Sequence, residues 1–442
     1  MAEIGSANAG YVSNIGSDSA MKSLKFCMVT TFYPPYNFGG DGIFVQRLAK
    51  ALARDGHMVH VIHDIDAFAL SSQVLPAESI SNDPDIIIHS LSRMGVMDLL
   101  LSHQLGRPVG KHSQIKAILE QIDFDVIHFH NISLLGGPDV LRYGNAIKIC
   151  TLHDHWFVCA MHVLWRFDQE ACTKRTCIRC TLSGKRPPQI WRYTGHVANA
   201  AHHVDAFLAP SHFARQSHLA NGFPSAIRYL PHFLPFQKPL TNIDIPSTSS
   251  QQRPYFLFVG RLEKIKGVQV LLEQFHVYKA ADLLIAGTGI YATELHQTAQ
   301  GLEHVHFLGR VDYAQLQLLY KEAIAVIVPS LCYETFGLVA LEAFAVGTPV
   351  IVHNLGALPE IVQAGGGLVY KTDRELRDAM EALQTQPNLR RQLGAQAYQI
   401  FLENYTERKH LQQYYNLISE LQAVPKIKDQ PHTISSVQEI DQ

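Results

Sequence analysis

The chain has 442 residues, 47% of them hydrophobic and 17% charged, and its 37 Lys and Arg against 39 Asp and Glu leave a net charge of −2. That is apolar material for roughly two to three domains of about 150 residues each, and the near-neutral balance argues against nucleic acid as the main partner. No apolar run approaches the ~20 residues that a membrane span needs.

The opening stretch, MAEIGSANAGYVSNIGSDSA, is polar and rich in Gly, Ser and Asn. It lacks the basic start and apolar run of a secretory signal. Residues 1–21 are therefore expected to form a disordered tail, with Met21 as an alternative start. The expected compartment is the cytoplasm, extending at most to the inner face of a membrane. In a reducing compartment the seven cysteines would stay free of disulfides.

KFCMV predicts a strand, GIFVQRLAKALARDGH an amphipathic helix with Phe44, Leu48 and Leu52 on one stripe, and MVHVI a second strand. DIIIHSL, DVIHFH, IKICTLH, DAFLAPS and IRYLPH follow as further buried strands. Continuous apolar runs separated by helices imply parallel sheet covered on both faces. The Ser/Thr/Pro/Gln-rich stretch 241–254 reads as a linker between a first domain, 22–240, and a second, 255–405. In the second, YFLFVG, DLLIAG, VHFLG, AIAVIVPS and TPVIVH are the expected strands. A final helix is expected over 406–423, followed by a mobile tail, 424–442. The fold class is α/β with two doubly wound domains. Ligands in such sheets bind at the carboxyl ends of the strands, so the two crevices would face each other across an interdomain cleft.

Candidate residues cluster at strand ends. In YETFGLVALEAFAVGTPVI, Glu334 falls in a strand-to-helix turn and Glu342 about two turns on. Eight helical steps would separate them by roughly 12 Å, more than the ~5–9.5 Å that paired glycosidase carboxylates require. Two contacts to one long ligand fit better, with free N–H groups at Phe336, Gly337 and Leu338 suited to a phosphate. Taken alone, a helix-start glutamate and a solvent-facing glutamate would explain the pair as well. Arg261 and Lys266 in VGRLEKIKG could neutralise a diphosphate without a metal. Gly39 and Gly40 in YPPYNFGGDG allow close backbone approach. His153 and Asp154 end one strand, and His128 and His130 end another. The Gly287-x-Gly289-x-x-Ala292 pattern follows a second rather than a first strand and reads as an ordinary turn.

Together, Glu334-x7-Glu342, Arg261 with Lys266, the Gly39–Gly40 loop and His153–Asp154 resemble the site elements of retaining GT-B glycosyltransferases of family 4. The resemblance runs from about Leu24 to Tyr415. It implies the GT-B fold, a nucleotide-diphosphate sugar donor of UDP or GDP type and a glycan or lipid-linked acceptor. By resemblance, Arg261 and Lys266 hold the diphosphate, Glu342 the ribose, and Glu334 works near the anomeric centre. Phe336, Gly337 and Leu338 offer N–H groups, His153 contacts the donor sugar, Gly40 lets the first domain close, and the last helix returns to that domain. The family needs no catalytic metal, retains configuration and serves polysaccharide, lipopolysaccharide or other glycoconjugate synthesis. GALPEI carries Gly-Ala where Gly-Gly is frequent in the family.

Between 159 and 192 lies an insert with Cys159, Cys172, Cys177 and Cys180, four of the seven cysteines. Four thiolates suit structural zinc or an iron–sulfur cluster; four reduced cysteines in a loop are the plain alternative. The basic residues around them could receive a phosphate-bearing or membrane-surface acceptor, or form a solvated face. Two other classes stand beside the transferase: a GT-B-like sugar-nucleotide epimerase, and a zinc-stabilised nucleic-acid-binding protein. The neutral remainder of the chain weighs against the second. A phosphorylase would need a pyridoxal phosphate lysine, for which the sequence shows no signature.

Overall fold

Apolar, β-branched runs without alternation are satisfied only inside a sheet covered on both faces. The computed structural model uses the central runs in that way, whereas the edge strands Ile86–Leu91, Ile227–Tyr229, Val305–Gly309 and Gly367–Tyr370 are partly exposed; it describes residues 22–71, 84–92, 95–235 and 253–424. The tail 1–21, the linker up to residue 252 and the tail from 425 lie outside the described residues. The chain lays down β1 (Lys25–Val29), β2 (Met58–Asp64), β3 (Ile86–Leu91), β4 (Val126–Phe129) and β5 (Ile147–Thr151). It then makes an excursion whose only strands are the short antiparallel pair β6 (Trp165–Arg166) and β7 (Glu170–Ala171). β8 (Ala206–Ala209) and β9 (Ile227–Tyr229) complete a parallel sheet in the order β3-β2-β1-β4-β5-β8-β9.

The second domain repeats the plan with β10 (Tyr255–Val259), β11 (Asp282–Ala286), β12 (Val305–Gly309), β13 (Val326–Val328), β14 (Val350–His353) and β15 (Gly367–Tyr370). Its parallel order is β12-β11-β10-β13-β14-β15. In each sheet the strand order reverses beside the first strand, between β1 and β4 and between β10 and β13. Adjacent helices leave on opposite faces there, which opens a crevice at the strand ends. Successive side chains of β1 feed the two faces: Cys27 and Val29 join one core cluster, Phe26 and Met28 the other.

The Glu407–Ala423 helix packs on the first sheet, although it follows the second domain in sequence. Its N-cap Thr406 accepts from the Lys409 N–H, and Leu411, Tyr414, Leu417 and Ile418 are buried with Phe26 and Met28. Truncating a fully buried aromatic such as Tyr414 to Ala costs about 3–5 kcal/mol. Arg54 on the first domain reaches the Glu407 carboxylate at 2.7 Å.

Two boundaries differ from expectation. The first helix begins at Gly40 rather than Gly42, with Asp41 in its first turn, where an acid complements the exposed N–H groups. The apolar pattern after Glu334 predicts a helix from about Phe336 or Gly337, and the helix begins at Leu338, from an N-cap at Gly337. Half of the eight steps from Glu334 to Glu342 are therefore non-helical, and the 12 Å spacing does not apply. The insert has little regular structure. His162, Leu164, Phe167, Asp168 and Lys185 all have φ between 47° and 70°, conformations that cost L-residues roughly 1–2 kcal/mol each. All three tryptophans of the chain are buried in or beside it, Trp165 and Trp191 within the insert and Trp156 just before it, and offset that strain.

Candidate active site at the domain seam

The two switch-point loops of the second domain meet backbone to backbone. Gly267 has φ +78°, and a Cβ there would run into the Pro329 carbonyl oxygen; only glycine permits this approach. The Leu331 N–H donates to the Ile265 carbonyl at 2.8 Å. The contact delivers Lys266 to Glu334, with Nζ 2.7 Å from Oε1, and the Ser330 hydroxyl donates to the same oxygen at 2.7 Å. Gly356, φ +67°, passes so close to the Glu334 backbone that a Cβ would lie 2.7 Å from its N–H nitrogen. Glu334 is thus clamped from three loops. Burial disfavours its charge, but Lys266, the Ser330 hydrogen bond and Arg261 outweigh burial and hold the carboxyl below its usual range. Burial likewise works against the Lys266 cation, and Glu334 outweighs it, so that its pKa rises. Glu334 is a carboxylate at neutral pH, unsuited to donating a proton and suited to facing positive charge.

The Leu338–Ala345 helix has no side-chain N-cap, so its first N–H groups are available to an anion. One turn in, the Glu342 carboxylate is held by Tyr320, whose hydroxyl donates at 2.9 Å, and by Arg47 from the first domain at 3.2 Å. Arg47 Nη1 is buried without a hydrogen-bond partner. Gly40 completes the seam: a Cβ there would lie 2.7 Å from Leu338 Cδ1. The Thr335 hydroxyl donates to the His153 carbonyl at 2.6 Å, the Ser211 hydroxyl donates to the Thr335 carbonyl at 2.7 Å, and Phe336 packs edge-on against His232. The segment from Tyr333 to Leu338 is therefore one place where the domains touch; Glu342 with Arg47 and Glu360, which accepts from the His212 and Phe213 N–H groups, are others.

His153 lies in a row of imidazoles. Its Nε2 is 2.9 Å from His130 Nδ1, and its Nδ1 is 3.2 Å from His232 Nε2. Burial pushes His130 and His232 well below the ordinary histidine value. It lowers His153 too, against Asp41 and Asp154. A neutral imidazole offers one donor and one acceptor, so the flanking histidines fix the tautomer and ring position of His153. Asp154 turns away, accepting from the Trp156 N–H at 2.8 Å and meeting His162 Nδ1 at 3.0 Å.

Beside the seam opens a cleft of about 2250 Å³. Gly39 and Asn131 line it from the first domain and Gly260, Arg261 and Arg310 from the second; residues of the insert close one side. Lys266, Glu334, Glu342, His153, Gly40 and Phe336–Leu338 do not line this space but lie in the seam behind it. Arg261 pairs with Glu263 at 2.6 Å. Sequence reasoning missed Arg310, whose place just past β12 is the same signal that picked out Arg261. It missed Arg47 as well, which nothing local marks. The Gly287–Gly289 turn, read as ordinary, also lines the cleft, and a Cβ at either glycine would collide with the loop after β10.

Among the described residues, no three His, Cys, Asp or Glu side chains are arranged to hold a metal ion. Cys159 feels the charge of Cys172, and Cys172 that of Cys177 and Cys180, so the four thiols share a neighbourhood. They suit zinc by donor chemistry, but their sulfurs are not drawn together. No helix among the described residues is long and apolar enough to cross a membrane.

The family described as Glycosyltransferase Family 4 matches residues 38–237, and that described as Glycosyl transferases group 1 matches residues 241–400. An uncharacterized glycosyltransferase of Methanocaldococcus jannaschii is 44% identical over 356 residues, covering 77% of this chain and 83% of the relative. Sucrose-phosphate synthase of Thermosynechococcus elongatus superposes with a TM-score of 0.70 at 20% identity, over 90% of this chain and 99% of that one. The Anabaena protein HepE, solved in complex with UDP-glucose, superposes at 0.64 with 16% identity, over 90% of this chain and all of that one.

Proposed function

This chain belongs to the group 1, family 4 glycosyltransferases, and from that premise we propose that it moves a sugar from a nucleotide-diphosphate sugar to an acceptor hydroxyl with retention of configuration. The observation that carries the reading is the Lys266–Glu334 pair beside an uncapped helix N-terminus at the second sheet's switch point. In such a transfer, negative charge grows on the departing diphosphate. Arg261, Lys266 and the N–H groups at the start of the Leu338–Ala345 helix meet that charge once the seam opens and Arg261 leaves Glu263. Glu334, held ionised, stabilises the positive charge developing at the anomeric carbon. The diphosphate itself takes the acceptor's proton on the face from which it departs, which gives retention.

Glu342 accepts from the ribose hydroxyls in place of Arg47. His153, held by its two neighbours, meets the sugar from the first domain. The UDP-bound structures of HepE support a UDP-type donor; a GDP sugar is the competing choice. The acceptor, a glycan or a lipid-linked molecule, enters on the first-domain side of the cleft. A structural zinc at Cys159, Cys172, Cys177 and Cys180 is supported by the donor set alone. Elemental analysis of the purified protein tests it: about one equivalent is expected, and none in a Cys177→Ser/Cys180→Ser variant.

The deciding experiment for the transfer reaction is thermal shift with UDP, GDP, ADP and their sugars. Slow hydrolysis of the stabilising donor is then followed by NMR, with Glu334→Ala as control. An α-donor should release an α-sugar. Release of the β-sugar would overturn retention, and stabilisation by DNA or RNA alone would overturn the enzyme reading.

A further inference from the structure

From Ala171 to Val204 the chain carries six Lys and Arg and no Asp or Glu. Arg192 is committed inward: it donates to the Trp156 carbonyl and lies over the Trp191 ring, 4.5 Å from its centroid. The other five, Lys174, Arg175, Arg179, Lys185 and Arg186, are exposed. The ion pairs of this region among described residues are His162–Asp154, Arg166–Glu170 and Lys264–Asp168, and none uses those five cations.

Large apolar side chains stand among them in water. The short helix Cys177–Ser183 buries Cys180 and Thr181 and turns Ile178, Arg179 and Leu182 outward. Leu182 is 58% exposed, Ile190 67% and Tyr193 56%. The neighbouring Gly95–Leu105 helix repeats the pattern. It buries Asp98 and Leu99 and exposes Met97, Leu100, Leu101 and Leu105, a stripe at helical spacing. The two segments are stitched together: Gln189 Nε2 and Trp191 Nε1 both donate to the His103 carbonyl, at 2.8 and 3.3 Å.

This face continues into the cleft. Met97, Leu100 and Leu101 share its wall with Lys185, Arg186 and the Phe38–Phe68 stack, whose rings are 4.4 Å apart. A basic cluster free of ion pairs, with Arg175 donating to the Asn221 carbonyl, and mixed with exposed Ile, Leu and Tyr is the chemistry of a surface that meets anionic lipid. The cations answer the headgroup charge and the apolar side chains enter the acyl boundary. A nucleic-acid surface would need the charge but not the apolar stripe.

We infer that this face docks on an anionic bilayer, so that the apolar part of a membrane-held acceptor reaches the Met97–Leu101 wall with its charged head at Lys185 and Arg186. The inference rests on the reading of the first-domain side of the cleft as the acceptor side. Each basic residue at such a surface is worth about five-fold in partitioning.

The test is sedimentation of the full chain with sucrose-loaded vesicles, of phosphatidylcholine alone or mixed one to one with phosphatidylglycerol. Binding is expected to the anionic vesicles only, and 0.5 M NaCl should weaken it at least ten-fold. Lys185→Glu/Arg186→Glu and Ile178→Glu/Leu182→Glu should each lower it ten-fold or more, and the second pair, which lies off the cleft wall, should leave nucleotide-induced thermal stabilisation unchanged. Glycerol phosphate at millimolar concentration should not displace the protein. Equal binding to both vesicle types, no binding, or capture by an RNA oligonucleotide in place of vesicles would overturn the inference. Should a variant fail to fold, the lipid and salt dependence of the unaltered protein decides alone. Nucleotide stabilisation is read separately, so loss of vesicle binding leaves the transferase reading intact, and the reverse.

Discussion

Replacing Lys266 by Met tests the electrostatic centre of the site. The Lys266 and Glu334 side chains are 22% and 21% exposed, so water screens the pair only in part. Removing the cation leaves Glu334 with the Ser330 hydroxyl and the field of Arg261, at a cost of about 2–3 kcal/mol, below the 3–5 of a fully buried pair. In a domain of this size that lowers Tm by roughly 4–12 °C. The pH dependence carries a sign. Glu334 is held below its ordinary 4.5, so its contribution is in place above that value and is lost as pH falls through the lower folded value. Lys266 is raised above 10.5, so its contribution is in place below that value and is lost as pH climbs through the higher folded one. The gap in Tm between the parent and Lys266→Met should therefore be widest near neutrality and close below about pH 4.5. Thermal melts from pH 3 to 8 measure it, with Glu334→Gln and the double variant completing a cycle. A coupling of about 1–2 kcal/mol is expected at pH 7. Additivity within about 0.5 kcal/mol would refute the pairing and, with it, the ionised state assigned to Glu334. The same substitution should lower kcat about 10²–10³-fold, the scale of losing one preorganised contact to a developing charge.

Calorimetry should separate the two glutamates: Glu342→Ala weakens nucleotide binding about 10–100-fold, whereas Glu334→Ala leaves affinity within about three-fold and chiefly lowers kcat. Equal affinities in the two variants would contradict that division. Gly267→Ala, forced against the Pro329 carbonyl at φ +78°, should cost about 2–4 kcal/mol in denaturant melts. Gly301→Ala, at φ +81° with open space around it, should cost only about 1 kcal/mol. Burial holds His410 near 4 and His155 near 3, and pushes His128, His130 and His232 well below the ordinary histidine value. Each histidine takes up its proton on unfolding below about pH 6.5, so stability is complete above that pH and falls with acidity, by at most about 1.4 kcal/mol per unit for each group. A Tm unchanged between pH 7 and 5 would mean these rings are not buried neutral.

The sequence by itself determined the architecture. Short apolar runs separated by helical periods leave parallel sheets covered on both faces as the way to bury them. Two such series on either side of 241–254 give two sheets. The rule that ligands gather at strand ends then picked out Arg261, Lys266, Glu334, Gly39 and His153, because strand ends can be read from where an apolar run stops. Partners across the seam could not be read in that way. Arg47 sits in an ordinary amphipathic helix, 295 positions from the Glu342 it binds, and no local pattern encodes that distance. Only the tertiary structure placed most of the predicted residues in a seam between domains and left Arg261 and Gly39 on the open cleft. Local sequence sets which groups reach a strand end, but contacts between separately folded domains depend on how two finished surfaces meet.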